Sequence, residues 1–557
     1  MSHSRLTRKK GIRLVIGCVA FIAALVLHIS IAFYLASDEA GDGIIYSRMA
    51  VVLLKQGVFS ADTQAPYTPT LIRLPGYPIF LAGVYSVFGH GNNTPVRVIQ
   101  GIVYAITCVL AALLAWNWTE GKRRRRRKAA WWAFILAAVC PFTAIFSAVI
   151  LTETLTMFFL AAMTLAATYG LKSVNRTASW LWWIAAGLIA GVAVFLRPDS
   201  GLFAFGLGLT LAVSVLFKCP QVPTFGRNFA GVIVKGILFS VAFMLPLVPW
   251  TVRNERVFGM FQPLAPTHAE APGEFVPHGY YLWLRTWIND SRYIPAMQWG
   301  LEIQRIKIEQ VPAFAFDSDE EKTEVAALLD QYNNSDPDHP MAADQKQTQD
   351  DSDDSDDSSA DDNSADQNDD NSDNNSDDQS DSSDQNDQQP EELNLKISPQ
   401  VDAAFQQIAE ERIARRPFYF YVTLPAERAS SMWFDTHSDY YPFNGELFPM
   451  KDLDLDNNQE IWLPLFAAGV WLYTLLAAVG AVFLLISKYR RSWLWLLMVL
   501  LLSVPRIAFF GTLENPEPRY LVELFIFAVI LGGIALARIG FRRRISNFSI
   551  EIYMGRR

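Results

Sequence analysis

The stretch 120–172, EGKRRRRRKAAWWAFILAAVCPFTAIFSAVILTETLTMFFLAAMTLAATYGLK, decides how this chain folds. Seven consecutive basic residues, Lys122 to Lys128, precede an apolar run in which Glu153 is the only acid or base before Lys172. A helix crosses the hydrocarbon layer with about 20 apolar residues, so the run holds two spans and must break between 141 and 154. The basic cluster is retained on the cytoplasmic side. Glu153, at the junction of the two spans, is therefore carried to the opposite face.

Applied outward from this stretch, the same length rule gives ten spans: 14–36, 96–118, 129–149, 152–171, 180–196, 200–217, 234–250, 462–486, 493–510 and 520–537. The composition agrees, with 51% hydrophobic and 13% aromatic residues and a mean hydropathy of +0.16. Arranged in long uncharged blocks, this is too apolar for a soluble enzyme and describes a polytopic membrane protein. The net charge of −9 is dominated by 344–387, which holds 18 Asp against Lys346. The remainder carries about +8. Cys18, Cys108, Cys140 and Cys219 lie in or beside apolar blocks without ligand spacing, so neither a disulfide framework nor a zinc cluster is expected. MSHSRLTRKKGIR resembles the basic part of a signal peptide, but the run behind it is long enough to span and shows no small-residue cleavage site. It reads as a retained first helix.

With the N-terminus cytoplasmic, the clusters EGKRRRRRK, KSVNR, KCPQVPTFGRN, KYRR and RIGFRRR all fall on one side. An odd number of missed or invented helices would scatter them. The expected location is the plasma (inner) membrane, multi-pass. The organisation is then a transmembrane module over 1–254 that includes a first external loop at 37–95, an extracytoplasmic loop region over 255–461, C-terminal spans over 462–540 and a cytoplasmic tail over 541–557. The acidic insert, about 342–392, has almost no apolar residue with which to offset chain entropy, and disorder is expected there. Calcium chelation or repulsion from an anionic surface is the functional alternative, although the Gly turns and fixed spacing of a calcium loop are missing.

Charged residues gather at the outer ends of the spans. Asp38, Glu39 and Asp42 follow the first, Arg73 lies in LIRLPGYPIF, and Glu153 opens the fourth. Arg197 and Asp199 join the fifth to the sixth, Arg253 and Arg256 follow the seventh, and Glu514, Glu517 and Arg519 precede the last. Singly, each reads as an interfacial anchor or a helix-end charge. Together they are unexpected, because outer ends are depleted in arginine. Arginine grips phosphate with two parallel hydrogen bonds and keeps its charge, whereas a carboxylate accepts a proton from an attacking hydroxyl. After Asp42 the residues Ile45, Met49, Val52 and Leu53 recur at helical spacing, as in a helix lying in the membrane interface. Tyr46 is one turn from Asp42, and RLPGYP forms a rigid turn that can bring Arg73 and Tyr77 near the carboxylates.

The order of Asp-x-x-x-Tyr, QGVFS, RLPGYPIFLAGVYSVFG, LTETL, FLRPDSGLF, PWTVRNERVFG and a late Glu-x-Arg-Tyr resembles the GT-C glycosyltransferases. The nearest branch is the bacterial one similar to dolichyl-phosphate-mannose protein mannosyltransferase and aminoarabinose transferase, glycosyltransferase family 39-like. GYYLWLRTWIND and ERIARRPFYFYVTLPAERASSMWF look like segments of the same group, and the resemblance covers nearly everything except the acidic tract. It implies an all-α GT-C fold with about ten transmembrane helices, interfacial helices in the first external loop and a disordered acidic insertion in a large external loop. It also implies transfer of a sugar from a polyprenyl phosphate to an acceptor hydroxyl on a protein, lipid or glycan at the extracytoplasmic face, with inversion.

By the same resemblance Asp42 is the general base, and Arg519 with Tyr520 binds the carrier phosphate. Asp38, Glu39, Tyr46, Arg73, Tyr77, Glu153, Arg197, Arg253 and Glu517 complete the expected substrate-binding set. No cofactor or resident metal is expected; oxygen ligands at Asp38, Glu39 and Asp42 would suit magnesium or manganese if one were used. Partners are the lipid-linked donor, membrane lipids and the acceptor, with no nucleic acid. The alternative is a transporter or flippase of a lipid-linked or anionic solute. Transporters place ionisable groups near mid-membrane, whereas the centres of these spans read as nearly free of charge.

Overall fold

Every regular element among the described residues of the computed structural model is helical; these residues are 2–35, 41–173, 175–214, 225–266, 275–336, 394–443, 445, 447 and 457–539. The elements run α1 (Ser2–Tyr34), α2 (Asp42–Gln56), α3 (Gly76–Phe88), α4 (Asn93–Trp118), α5 (Arg123–Ala138), α6 (Pro141–Ala144), α7 (Glu153–Lys172), α8 (Arg176–Leu196) and α9 (Ser200–Val213). They continue with α10 (Phe225–Met244), α11 (Leu247–Phe258), α12 (His278–Leu284), α13 (Asp319–Asn333), α14 (Pro399–Arg415), α15 (Leu424–Phe434), α16 (Asn457–Leu485), α17 (Arg490–Gly511) and α18 (Phe525–Ile539). The chain divides into two compact units, one of 1–276, 288–291 and 416–557, the other of 277–287 and 292–415. Asp38, Glu39, Cys219, the acidic insert and the basic tail lie outside the described residues.

Among the described residues of the first unit, seven helices are long and apolar enough to cross a membrane, and two bent pairs, α5 with α6 and its following turn and α10 with α11, raise the number to as many as nine. The expected span 200–217 is instead the 14-residue α9, which at 1.5 Å per residue reaches only about 21 Å. The apolar α3 inside the first external loop is likewise short, at 13 residues. On α1 the side chains of Val15, Val19, Ile22 and Val26 are exposed, as are Trp471, Leu475 and Val482 on α16. Exposure of this kind on a continuous helix face suits lipid rather than water.

The break demanded by the double-length run falls at Cys140–Pro141, where the chain bends by 60°. Proline at the start of α6 needs no N–H partner and cannot continue α5. A break inside the bundle frees backbone carbonyls, which must be satisfied without water. Tyr104 donates to the Ala137 carbonyl (3.0 Å), Tyr473 to that of Leu136 (2.8 Å) and Tyr441 to that of Pro141 (3.0 Å). Gln100 donates to Val149 (2.8 Å) and Arg97 to Ala148 (2.9 Å). The short turns between 141 and 152 thus occupy the space of a helix and deliver Glu153 to the first position of α7.

Glycines set the close crossings. A Cβ on Gly187 or Gly191 of α8 would stand 2.3 Å from the Phe239 or Phe243 carbonyl of α10, the small-xxx-small device of membrane helix pairs. Gly191→Val is expected to destabilise the protein by about 1–3 kcal/mol, seen as a lower thermal unfolding midpoint in detergent. An unchanged midpoint would mean that α8 and α10 do not approach so closely.

The second unit has an aromatic core of Tyr280, Trp283, Trp287 and Phe405, all buried. Arg412 pairs there with Glu321 (2.5 Å) and Asp317 (3.4 Å). The N–H of Asn394 donates to Asp336 at 2.9 Å, so the chain leaves for the acidic insert and returns from it at neighbouring points. Pinned ends make the length of an insertion a small entropic matter.

Candidate active site

Asp42 is the first residue of α2, where the free amides of a helix start favour a carboxylate. Gly57 ends the helix in the left-handed conformation, its N–H on the Leu53 carbonyl at 3.0 Å. Burial of Met49, Ala50 and Val52 fixes which face looks inward. Asp42 then meets two arginines from distant parts of the chain. Arg73 Nη2 donates to Oδ1 at 2.9 Å, and Arg519 Nη1 lies 3.1 Å from Oδ2. Both carboxylate oxygens are engaged. Burial alone would raise the Asp42 pKa; the Arg519 and Arg73 guanidinium groups more than offset it and hold the carboxyl below its usual range.

Arg519 is itself oriented by Glu517, with Nε 2.5 Å from Oε2. Tyr520 Oη donates to Glu517 Oε1 at 2.6 Å and Asn515 Nδ2 to the same oxygen at 2.8 Å. The Glu-x-Arg-Tyr motif is thus one tight turn, Pro518–Tyr520, in which the acid holds both the guanidinium and the phenol.

A second network joins this one. Arg197, at the end of α8, places Nη1 2.6 Å from Glu153 and 3.4 Å from Glu523, and Nε 3.3 Å from Asp199. Arg506 of α17 is fully buried, pairs with Asp199, lies 2.9 Å from Glu523, and donates from Nε to the Tyr520 carbonyl at 2.8 Å. The Tyr520 ring stands between the two sets, its centroid 5.4 Å from the Arg197 guanidinium and 5.5 Å from that of Arg519. Deleting one member of a buried ion pair costs about 3–5 kcal/mol, although an intact pair adds little net stability. The network therefore fixes geometry more than it stabilises the fold.

Of the expected residues, the structure brings together Asp42, Arg73, Glu517, Arg519 and Tyr520, with Glu153 and Arg197 in the adjoining network. Tyr46 lies among them; burial first, and then the Asp42 charge, push its pKa up to about 12. Tyr77 turns away from the carboxylates: it is fully buried, donates to Gln100 at 2.7 Å and packs edge-on against Tyr46. Arg253 joins neither network. It donates to the Thr70 carbonyl at 2.9 Å and covers the Trp250 ring at 4.8 Å, bracing the segment that carries Arg73.

Sequence reasoning missed Arg506, Glu523 and Asn515. The expectation of spans nearly free of charge does not hold at SVPRIAFF and RYLVELF, where Arg506 and Glu523 are buried and paired. The cost of an ionisable group in a span was the available signal. Among the described residues, no three His, Cys, Asp or Glu side chains are grouped so as to hold a metal ion.

Residues 69–250 match the family described as Dolichyl-phosphate-mannose-protein mannosyltransferase. The matched segment contains Arg73, Glu153 and Arg197, while Asp42 and Arg519 lie outside it. No curated protein matches the chain. The solved structure "Crystal Structure of ArnT from Cupriavidus metallidurans in the apo state" aligns over 94% of this chain and 78% of that one, with 12% identity and a TM-score of 0.33. That likeness is too distant to carry an inference.

Proposed function

We propose, for a membrane glycosyltransferase whose residues 69–250 match the dolichyl-phosphate-mannose-protein mannosyltransferase family, transfer of a sugar from a polyprenyl-phosphate carrier to an acceptor hydroxyl at the extracytoplasmic face, with inversion. The observation that carries this reading is the clamp of Arg73 and Arg519 on Asp42. Two guanidinium groups converge on one carboxylate in a partly open position, an arrangement that an incoming phosphate can enter by exchanging anion for anion.

In this reading Arg519 receives the carrier phosphate and Arg73 shares its charge. As the guanidinium groups turn to the phosphate, Asp42 is released from them and its carboxylate becomes free to take the acceptor proton. The hydroxyl oxygen then attacks the anomeric carbon opposite the phosphate, which departs with the bonding electron pair. Glu517 and Tyr520 keep Arg519 aimed, and Glu153 and Arg197 support Tyr520 from the adjoining network. Tyr46 offers a hydroxyl to the sugar, and Tyr77 and Arg253 act through the segments they brace. Asp38 and Glu39, four and three residues before Asp42 in the sequence, are assigned to substrate binding with it. The N-terminus is cytoplasmic, and no cofactor takes part.

Mass spectrometry of lipid extracts from a deletion strain tests the donor assignment. A polyprenyl-phosphate sugar is expected to accumulate, and its identity names the donor; an unchanged pool of lipid-linked sugars contradicts the reading. Transfer by the purified protein is expected to persist in excess chelator, and its abolition with restoration by magnesium or manganese would instead assign a metal.

A further inference from the structure

We propose that Arg506 is a positioning residue for the proposed transfer: from inside the helix bundle it fixes the backbone of the Pro518–Tyr520 turn, so that the Arg519 guanidinium stays aimed at the carrier phosphate. This rests on the proposed function above and concerns what holds its phosphate-gripping arginine in place.

The first ground is geometric. The turn that carries Arg519 is a single 3₁₀ turn, closed by the Tyr520 N–H on the Glu517 carbonyl and the Leu521 N–H on the Pro518 carbonyl, each at 3.1 Å. So short an element has little rigidity of its own, and its brace comes from α17. Arg506 Nε donates to the carbonyl of Tyr520, the residue directly after Arg519, at 2.8 Å. One helical turn further along α17, Phe510 stacks on the Tyr520 ring, centroids 4.5 Å apart and planes 18° from parallel. α17 therefore grips Tyr520 at both its carbonyl and its ring. The Arg506 guanidinium is fixed in turn: Nη1 pairs with Asp199, Nη2 lies 2.9 Å from Glu523, and its faces meet Phe203 of α9 at 4.8 Å and Phe510 at 5.0 Å. The rotation of α17 is set beside it, where a Cβ on Gly206 of α9 would stand 2.3 Å from the Leu501 carbonyl.

The second ground is the cost of placing an arginine there. Arg506 is fully buried within a span. An ionisable side chain in a membrane helix is expensive and marks function, and a buried ion pair adds little stability beyond what apolar packing would supply. A leucine or methionine facing Phe203 and Phe510 would serve the fold alone. What neither an apolar chain nor an ammonium can do is hold one carbonyl and two carboxylates at once in a fixed plane, which the guanidinium fork does. Asp199 and Glu523 are also shared with Arg197, at 3.3 and 3.4 Å, and Arg197 holds Glu153 at the head of α7 at 2.6 Å. The orientation of the Arg519 turn is thereby tied to α7, α8 and α17 together. A displacement of about 1 Å at a reacting group costs up to about 10²-fold in rate, so a brace on this turn acts on the chemistry without touching the substrate.

The test measures turnover of a labelled polyprenyl-phosphate sugar by the full-length protein in lipid nanodiscs. Two variants are compared with the wild type: Arg506→Lys, which keeps the charge and loses the fork, and Arg506→Met with Glu523→Gln, which removes one charge of each sign together. Each is made alone and in an Arg519→Gln background. Both are expected to lower kcat by about 10- to 10²-fold, with the thermal midpoint and the KM for the acceptor close to those of the wild type. Neither is expected to lower the rate further once Arg519 is replaced, because residues that act as one unit are non-additive. Wild-type kcat in either variant, losses that multiply in the Arg519→Gln background, or a lost thermal midpoint in both variants overturns the inference and leaves the carrier-phosphate reading intact. Wild-type turnover in Arg519→Gln alone overturns both.

Discussion

Arg519→Gln is expected to lower kcat by about 10²- to 10³-fold, the loss seen when one preorganised donor to a developing anion is removed. Arg519 touches Asp42 and Glu517 and stacks on Tyr520, and the leaving phosphate is proposed to take the place of Asp42 against it. The glutamine keeps much of the volume but loses the charge, so Asp42 and Glu517 lose their shared counter-charge and Asp42 keeps only Arg73. Arg519→Lys is expected to fail nearly as badly. A single ammonium cannot present the planar fork that serves a carboxylate and a phosphate at once. Transfer assays on purified protein of unchanged thermal midpoint provide the check, and wild-type turnover in Arg519→Gln would remove this residue from phosphate handling.

The second large effect is expected at Asp42→Asn, with the opposite signature on binding. Loss of a general base costs about 10²- to 10⁴-fold in rate. Because the amide no longer competes as an anion for Arg73 and Arg519, the donor is expected to bind at least as tightly as in the wild type. A fall in kcat with unchanged or improved donor affinity separates this role from a purely structural one, in which both would deteriorate. Normal turnover in Asp42→Asn would transfer the base function elsewhere.

Much of this arrangement is legible in the sequence. The double-length run at 129–171 had to break, and it breaks at Pro141, because two spans cannot share one straight helix. The apolar spacing after Asp42 marked α2, and its buried Met49 and Val52 are on the expected stripe. What the sequence withheld follows from the way membrane helices meet. Arg506 and Glu523 were concealed because hydropathy averages a span, whereas their pairing depends on the rotation of α17 and of the turn before α18. Tyr77 carried the right chemistry at the right distance along the chain, but it shares with Leu81 the face of α3 that packs with Ala50 of α2 and Val96 of α4, and the phenol goes with it. Arg253 read as a site arginine because it ends a span beside others; three aromatic rings and the Thr70 carbonyl claim it instead.

The most direct measurement follows the fate of a polyprenyl-phosphate sugar, labelled in the sugar, given to the purified protein in liposomes with an acceptor alcohol. Stoichiometric release of free polyprenyl phosphate is expected, together with a glycoside of inverted anomeric configuration. Donor that crosses between leaflets with its sugar still attached, and no glycoside formed, would contradict a transferase and identify a transporter.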